Sequence, residues 1–289
     1  MSLITRAFIF IAKLAKISQS VNYKNPKRNT QELAASKINK KLKTDEWYIE
    51  GYQVITISPP EVTNHHIIFL HGGAYVIEGQ DIHRKLVERF VLEHGFKVSY
   101  IEYPLAPEKT AVDTHRVVIQ AYKEITDKNS TDKFYFFGDS AGGGLAISLL
   151  QVFRKKGITP FPIHTAVVSP WLDVTMNNER ISEYEKKESI LSIKGLKEAG
   201  TMYAGNLDPK NPIVSPMFGS AENLGSILIF AGTHEVFFPD CEEFAEKLKH
   251  AKGTQAQLII GEELFHDWIV IPLKESTDTL NKIIEFFKS

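Results

Sequence analysis

From Tyr52 onward, short runs rich in β-branched and aromatic residues alternate with longer amphipathic stretches. The runs 52–58, 66–70, 97–103, 133–137, 164–168, 226–231 and 257–260 predict strands. The stretches 81–94, 112–126, 141–156, 240–251 and 276–287 carry helical periodicity. Strands alternating with helices predict a mostly parallel sheet covered by helices on both faces.

Two segments break this rhythm. Within residues 3–17, Leu3, Ala7, Phe8, Ile11, Leu14 and Ala15 fall on one helical stripe, interrupted by Arg6, Lys13 and Lys16. Such a stripe needs a partner: the rest of the protein, a membrane surface or the mouth of a substrate pocket. Residues 18–50 are polar and lysine-rich, with helical composition around 30–42. The second break, 173–212, holds a charged stretch at 177–188 and a short helical pattern at 193–203, and reads as an insertion.

The 289 residues suit one large α/β domain with a modest appendage. A net charge of −1 offers no basic field for nucleic acid. The single cysteine, Cys241, excludes a disulfide framework within the chain and is expected to pack as a small, partly buried side chain. No apolar run is long enough to span a bilayer. The uncharged stretch 7–12 is short for a signal-peptide core, so a cytoplasmic location is expected. No zinc-ligand spacing is visible, and neither metal nor cofactor is expected.

The strongest chemical signal is Gly138-Asp139-Ser140-Ala141-Gly142. It follows an apolar run and opens a long amphipathic stretch, the strand–turn–helix setting of a nucleophile elbow. The flanking glycines relieve crowding at a sharp turn that lifts the serine hydroxyl clear of the backbone. The helix start aims N–H groups, including that of Ala141, at developing negative charge. The second signal is His71-Gly72-Gly73-Ala74-Tyr75, directly after a predicted strand. Glycines let the backbone approach a substrate carbonyl, and a His-Gly-Gly run upstream of an elbow matches the oxyanion loop of lipases and esterases. The expected donors are the N–H groups of Gly73, Ala74 and Ala141, with Gly72 shaping the loop and His71 holding it.

These motifs occur with Tyr103-Pro104-Leu105-Ala106-Pro107-Glu108, Ser169-Pro170-Trp171, Asp208-Pro209 and Ser215-Pro216. In that order, from about residue 50 to the end, the chain resembles the hormone-sensitive-lipase-like carboxylesterases and acetyl esterases of the α/β-hydrolase fold. Ala74 stands where many members carry a third glycine. The resemblance implies an α/β-hydrolase core at 51–289, with residues 1–50 and the insertion 173–212 forming a helical cap. It implies His266, after the last strand and two residues before an aromatic, as the general base. It puts the acid in the loop after strand 226–231, where aligning on Phe244-Ala245 selects Glu235. Asp240 is the alternative, although it looks like a helix N-cap. Glu108 resembles a residue that organises the core beneath the site.

The implied activity is hydrolysis of short-chain carboxylic esters through Ser140, His266 and Glu235, with a small-molecule ester as partner. An amidase or formamidase could use the same array, although Tyr75 stands where formamidases of this fold usually have tryptophan. Plant ligand receptors of this fold lose the catalytic histidine, and His266 is present. A membrane-associated lipase and self-association both stay open.

Overall fold

The structure is a computed structural model that describes residues 1–15, 17–20, 22–26 and 37–289. Among the described residues, eight strands form one sheet in the order β1-β2-β4-β3-β5-β6-β7-β8. They are β1 (Lys43–Ile49), β2 (Tyr52–Ser58), β3 (His65–Leu70), β4 (Lys97–Ile101), β5 (Lys133–Asp139), β6 (His164–Val168), β7 (Gly225–Gly232) and β8 (Thr254–Gly261). β1 and β2 form an antiparallel hairpin, β2 joins β4 antiparallel, and the other pairings are parallel.

The helices are α1 (Leu3–Leu14), α2 (Ile17–Ser20), α3 (Asp81–Leu92), α4 (Ala111–Lys128), α5 (Ser140–Lys156), α6 (Ile181–Tyr184), α7 (Ile193–Ala204), α8 (Phe238–Lys249) and α9 (Lys274–Lys288). Period-two alternation decides which face each core side chain serves. Ile68, Leu70, Phe134, Phe136, Ile227 and Ile229 point toward α4, α5 and α8. Ile67, Phe69, Tyr135, Phe137, Leu228 and Phe230 point toward α3 and α9. Both faces of the central strands are therefore buried, which explains why their sequences are apolar at successive positions.

Three sequence expectations change. β1 lies inside the segment read as N-terminal appendage, so residues 43–49 belong to the sheet. Its exposed pattern, with only Ile49 buried, gives no apolar signal. Of the expected helix at 30–42, residues 30–36 lie outside the described residues, and 37–42 form turns. In α1 the rotation differs from that implied by the stripe. Ser2 and Thr5 bond to Glu275, Phe8 packs on Phe265 with ring centroids 4.8 Å apart, and Ile9 and Ala12 are buried. Leu3, Ile4, Phe10, Ile11 and Leu14 are left exposed. The polar tie to Glu275 sets which face turns inward.

Candidate active site

The site lies at the carboxyl ends of the parallel strands. β5 runs directly into α5 at Ser140, whose φ of +51° is left-handed. A non-glycine residue holds this conformation only when its surroundings enforce it. The glycines around it allow that fit. A Cβ on Gly138 would strike the carbonyl of Gly142, and one on Gly142 would strike the carbonyls of Leu70 and His71 at the end of β3.

Ser140 Oγ lies 2.9 Å from His266 Nε2, and His266 Nδ1 lies 2.8 Å from Glu235 Oε2. All three side chains are buried. An ionised carboxylate can only accept, so Nδ1 carries the hydrogen and Nε2 is left to accept from the hydroxyl. Glu235 is fixed in turn, because its Oε1 accepts the backbone N–H of Gly232 at 2.7 Å. The Phe237 and His266 rings pack nearly perpendicular, centroids 5.1 Å apart.

Asp240 stands apart from this chain. α8 begins at Phe238, so Asp240 is not an N-cap but a first-turn residue. Its Oδ1 accepts from Asn178 Nδ2 at 2.9 Å. Burial raises its pKa to about 7.

Opposite His266, the loop 71–75 folds over the elbow. The Gly72 N–H is committed to Asp139 Oδ2 at 3.0 Å. Gly73 has a φ of +123°, and a Cβ there would collide with the Ile77 carbonyl. Ala74 and Tyr75 follow at +53° and +60°, both left-handed without being glycine. The N–H groups of Gly73, Ala74 and Ala141 donate to no group among the described residues. His71 is buried beneath, stacked on Tyr103 at 4.3 Å and 3.1 Å from Glu102 Oε2. Burial alone would lower the His71 pKa, but the Glu102 carboxylate, with the Gly72 carbonyl and Asp139, outweighs it and the net shift is upward. Glu102, not Glu108, thus organises the core beneath the loop, since Glu108 is exposed.

A pair of carboxyl groups lies under the elbow. Asp139 and Asp267 are within hydrogen-bonding reach of each other, and each buries an Oδ1 that has no other partner among the described residues. Burial and the Asp139 charge push Asp267 well above the carboxylate range. Burial also acts to raise Asp139, but His83, 3.2 Å from its Oδ2, holds it low. One proton on Asp267 would satisfy both orphan oxygens. The folded chain then keeps a proton that the unfolded chain releases, so this pair's stabilisation falls as pH rises above the ordinary Asp range. Asp267→Asn donates permanently. Its stability relative to wild type should rise from about pH 5 to about pH 8 in urea denaturation. A constant difference would show that the pair shares no proton.

An α/β-hydrolase fold family matches residues 67–270, well over half of the chain. The chain belongs to the α/β-hydrolase fold family. It is 28% identical over 213 residues to an acetyl-hydrolase of Streptomyces hygroscopicus, covering 73% of this chain and 71% of that one. It is also 28% identical over 231 residues to an esterase of Acinetobacter venetianus, covering 77% and 74%. A solved esterase from the bacterial hormone-sensitive lipase family superposes with a TM-score of 0.84 at 23% identity, covering 99% of this chain and 98% of that one. At that identity the superposition speaks for the shared fold.

Within this α/β-hydrolase site, reasoning from sequence missed His83, Glu102 and Glu188. All three are buried ionisable groups that contact the motif residues or their loops. They sit in stretches whose local pattern says nothing about burial. Cys241 is more enclosed than the partial burial expected: it is fully buried, its Sγ is 3.8 Å from the Pro170 carbonyl, and burial raises its pKa. Among the described residues, no group of three His, Cys, Asp or Glu is arranged to hold a metal ion. No described helix is long and apolar enough to cross a membrane.

Proposed function

We propose that the protein is a serine carboxylesterase acting on short-chain esters through an acyl-enzyme. The reading is carried by the unbroken hydrogen-bonded chain from Ser140 Oγ through His266 to Glu235. His266 Nε2 takes the hydroxyl proton as Oγ attacks the ester carbonyl. Glu235 holds the imidazole in the productive tautomer and stabilises the imidazolium. The free N–H groups of Gly73, Ala74 and Ala141 receive the oxyanion, with Gly72 tied to Asp139 and shaping their loop. His266 returns the proton to the leaving alcohol, and water repeats the sequence on the acyl-enzyme. The acetyl-hydrolase and esterase relatives support an ester substrate with a small acyl group.

The cap is formed by the described residues before β1 together with residues 173–212. Its support is packing. The Tyr23 ring lies against Gly195 of α7, Tyr203 of α7 stacks on Tyr75 of the oxyanion loop at 3.7 Å, and Phe8 of α1 covers the neighbour of His266. Covering the site excludes water from the acyl pocket. A second reading, a lipase working at a membrane surface, is favoured by the exposed apolar face of α1.

One experiment addresses these readings. Hydrolysis of p-nitrophenyl esters from acetate upward, with a matched amide, is measured on the intact chain and on one lacking residues 1–17. Short esters should be preferred and the amide turned over far more slowly. The truncation should change KM and chain-length preference more than it changes stability. Equal rates on the amide would refute the esterase reading. An unchanged substrate profile with lost vesicle binding would assign α1 to a membrane instead.

A further inference from the structure

The charged stretch of the insertion ends on Glu188, a buried carboxylate that the proposed mechanism does not use. Its Oε1 accepts the backbone N–H groups of Ser189, Ile190 and Leu191 at 2.8, 2.7 and 3.1 Å. Its Oε2 reaches a different element and accepts the N–H of Val236 at 3.1 Å. Val236 is the residue after Glu235. Every one of these contacts asks the side chain to accept, which is the role of the ionised form. Burial raises the Glu188 pKa, while the His266 imidazole and the amides of Ile190 and Leu191 oppose that shift.

A buried carboxylate is costly, and a loop can be closed by cheaper groups. Three of the four bonds only shape the turn that Glu188 itself begins. The fourth joins the insertion to the loop between β7 and α8, which carries Glu235. That loop has to hold Glu235 Oε2 within hydrogen-bonding distance of His266 Nδ1. Misplacing a catalytic group by about 1 Å can cost on the order of 100-fold in rate.

We propose that Glu188 is a positioning residue for the reaction: its carboxylate clamps the insertion to the Glu235 loop and so holds Glu235 against His266. The proposal rests on the reading of Ser140, His266 and Glu235 as the reacting array. It separates Glu188 from a residue that merely anchors a cap. A cap anchor sets KM and chain-length preference, whereas a residue that holds the acid sets kcat even on the smallest ester.

The test is the split between kcat and KM for Glu188→Gln and Glu188→Asp on p-nitrophenyl acetate and on longer acyl esters. The Gln amide nitrogen cannot accept, so either the turn amides or Val236 lose their partner. On acetate, Glu188→Gln should lower kcat about 10-fold or more with KM within about twofold. Glu188→Asp keeps the charge with a shorter reach and should fall between Gln and wild type. Wild-type kcat on acetate, with KM raised only for longer chains, would overturn the proposal. Should Glu188→Gln fail to fold, Glu188→Asp carries the test, and a folded Asp variant with wild-type kcat overturns it. The underlying reading fails separately, if Ser140→Ala keeps wild-type turnover.

Discussion

Ser140→Ala lowers ester turnover by about 10⁴-fold or more while the protein stays folded. The size follows from what is removed. Without Oγ there is no nucleophile for His266 to activate, and only binding and the backbone donors near Ala74 and Ala141 are left to assist attack by water. The fold should tolerate the change. Ser140 contributes one side-chain hydrogen bond, to His266 Nε2, and alanine is no worse suited than serine to a φ of +51°. A loss of about 1 kcal/mol of stability is the scale for one such bond. Steady-state kinetics beside a thermal melt checks both halves. A folded variant with more than a tenth of wild-type activity would remove Ser140 from the mechanism.

Glu235→Gln is the second large effect, expected at about 10²–10⁴-fold in kcat. The geometry predicts how it fails. Gly232 N–H still needs an acceptor, so the amide oxygen stays where Oε1 was and the amide nitrogen turns to His266 Nδ1. A donor there forces Nδ1 to accept and moves the ring hydrogen to Nε2, which faces Ser140. The base is then blocked by its own proton. Asp240→Asn should leave kcat near wild type, because Asp240 bonds to Asn178 rather than to the imidazole. Stopped-flow or steady-state kcat on both variants decides it. Activity lost in Asp240→Asn but kept in Glu235→Gln would reverse the two assignments.

The core of this fold was legible because its central strands are buried on both faces and its helices, α5 apart, on one. Runs such as Phe134–Phe137 therefore announce themselves as apolar, and the amphipathic helices keep a helical period. β1 was not legible, because it is an edge strand whose side chains face water almost throughout. The site divided in the same way. Ser140 and the 71–75 loop are local motifs, so sequence alone points to them. Glu235 needed the order of the chain and an alignment, since nothing near it is distinctive. Glu188 and His83 were out of reach. Each matters through a partner distant in the chain, Val236 for one and Asp139 for the other, and only the folded arrangement brings those partners together. The rotation of α1 was missed for a related reason. A stripe shows that a helix has an apolar face, but the tie from Ser2 and Thr5 to Glu275, some 270 residues away, decides which face turns inward.

The central claim is that Ser140 is the activated nucleophile, and covalent labelling tests it most directly. A fluorophosphonate is incubated with the intact protein and the labelled peptide is mapped by mass spectrometry. The account predicts one label per chain, on Ser140, blocked when His266 is replaced by alanine. A stoichiometric label on any other residue, or an active protein that takes no label, would contradict it.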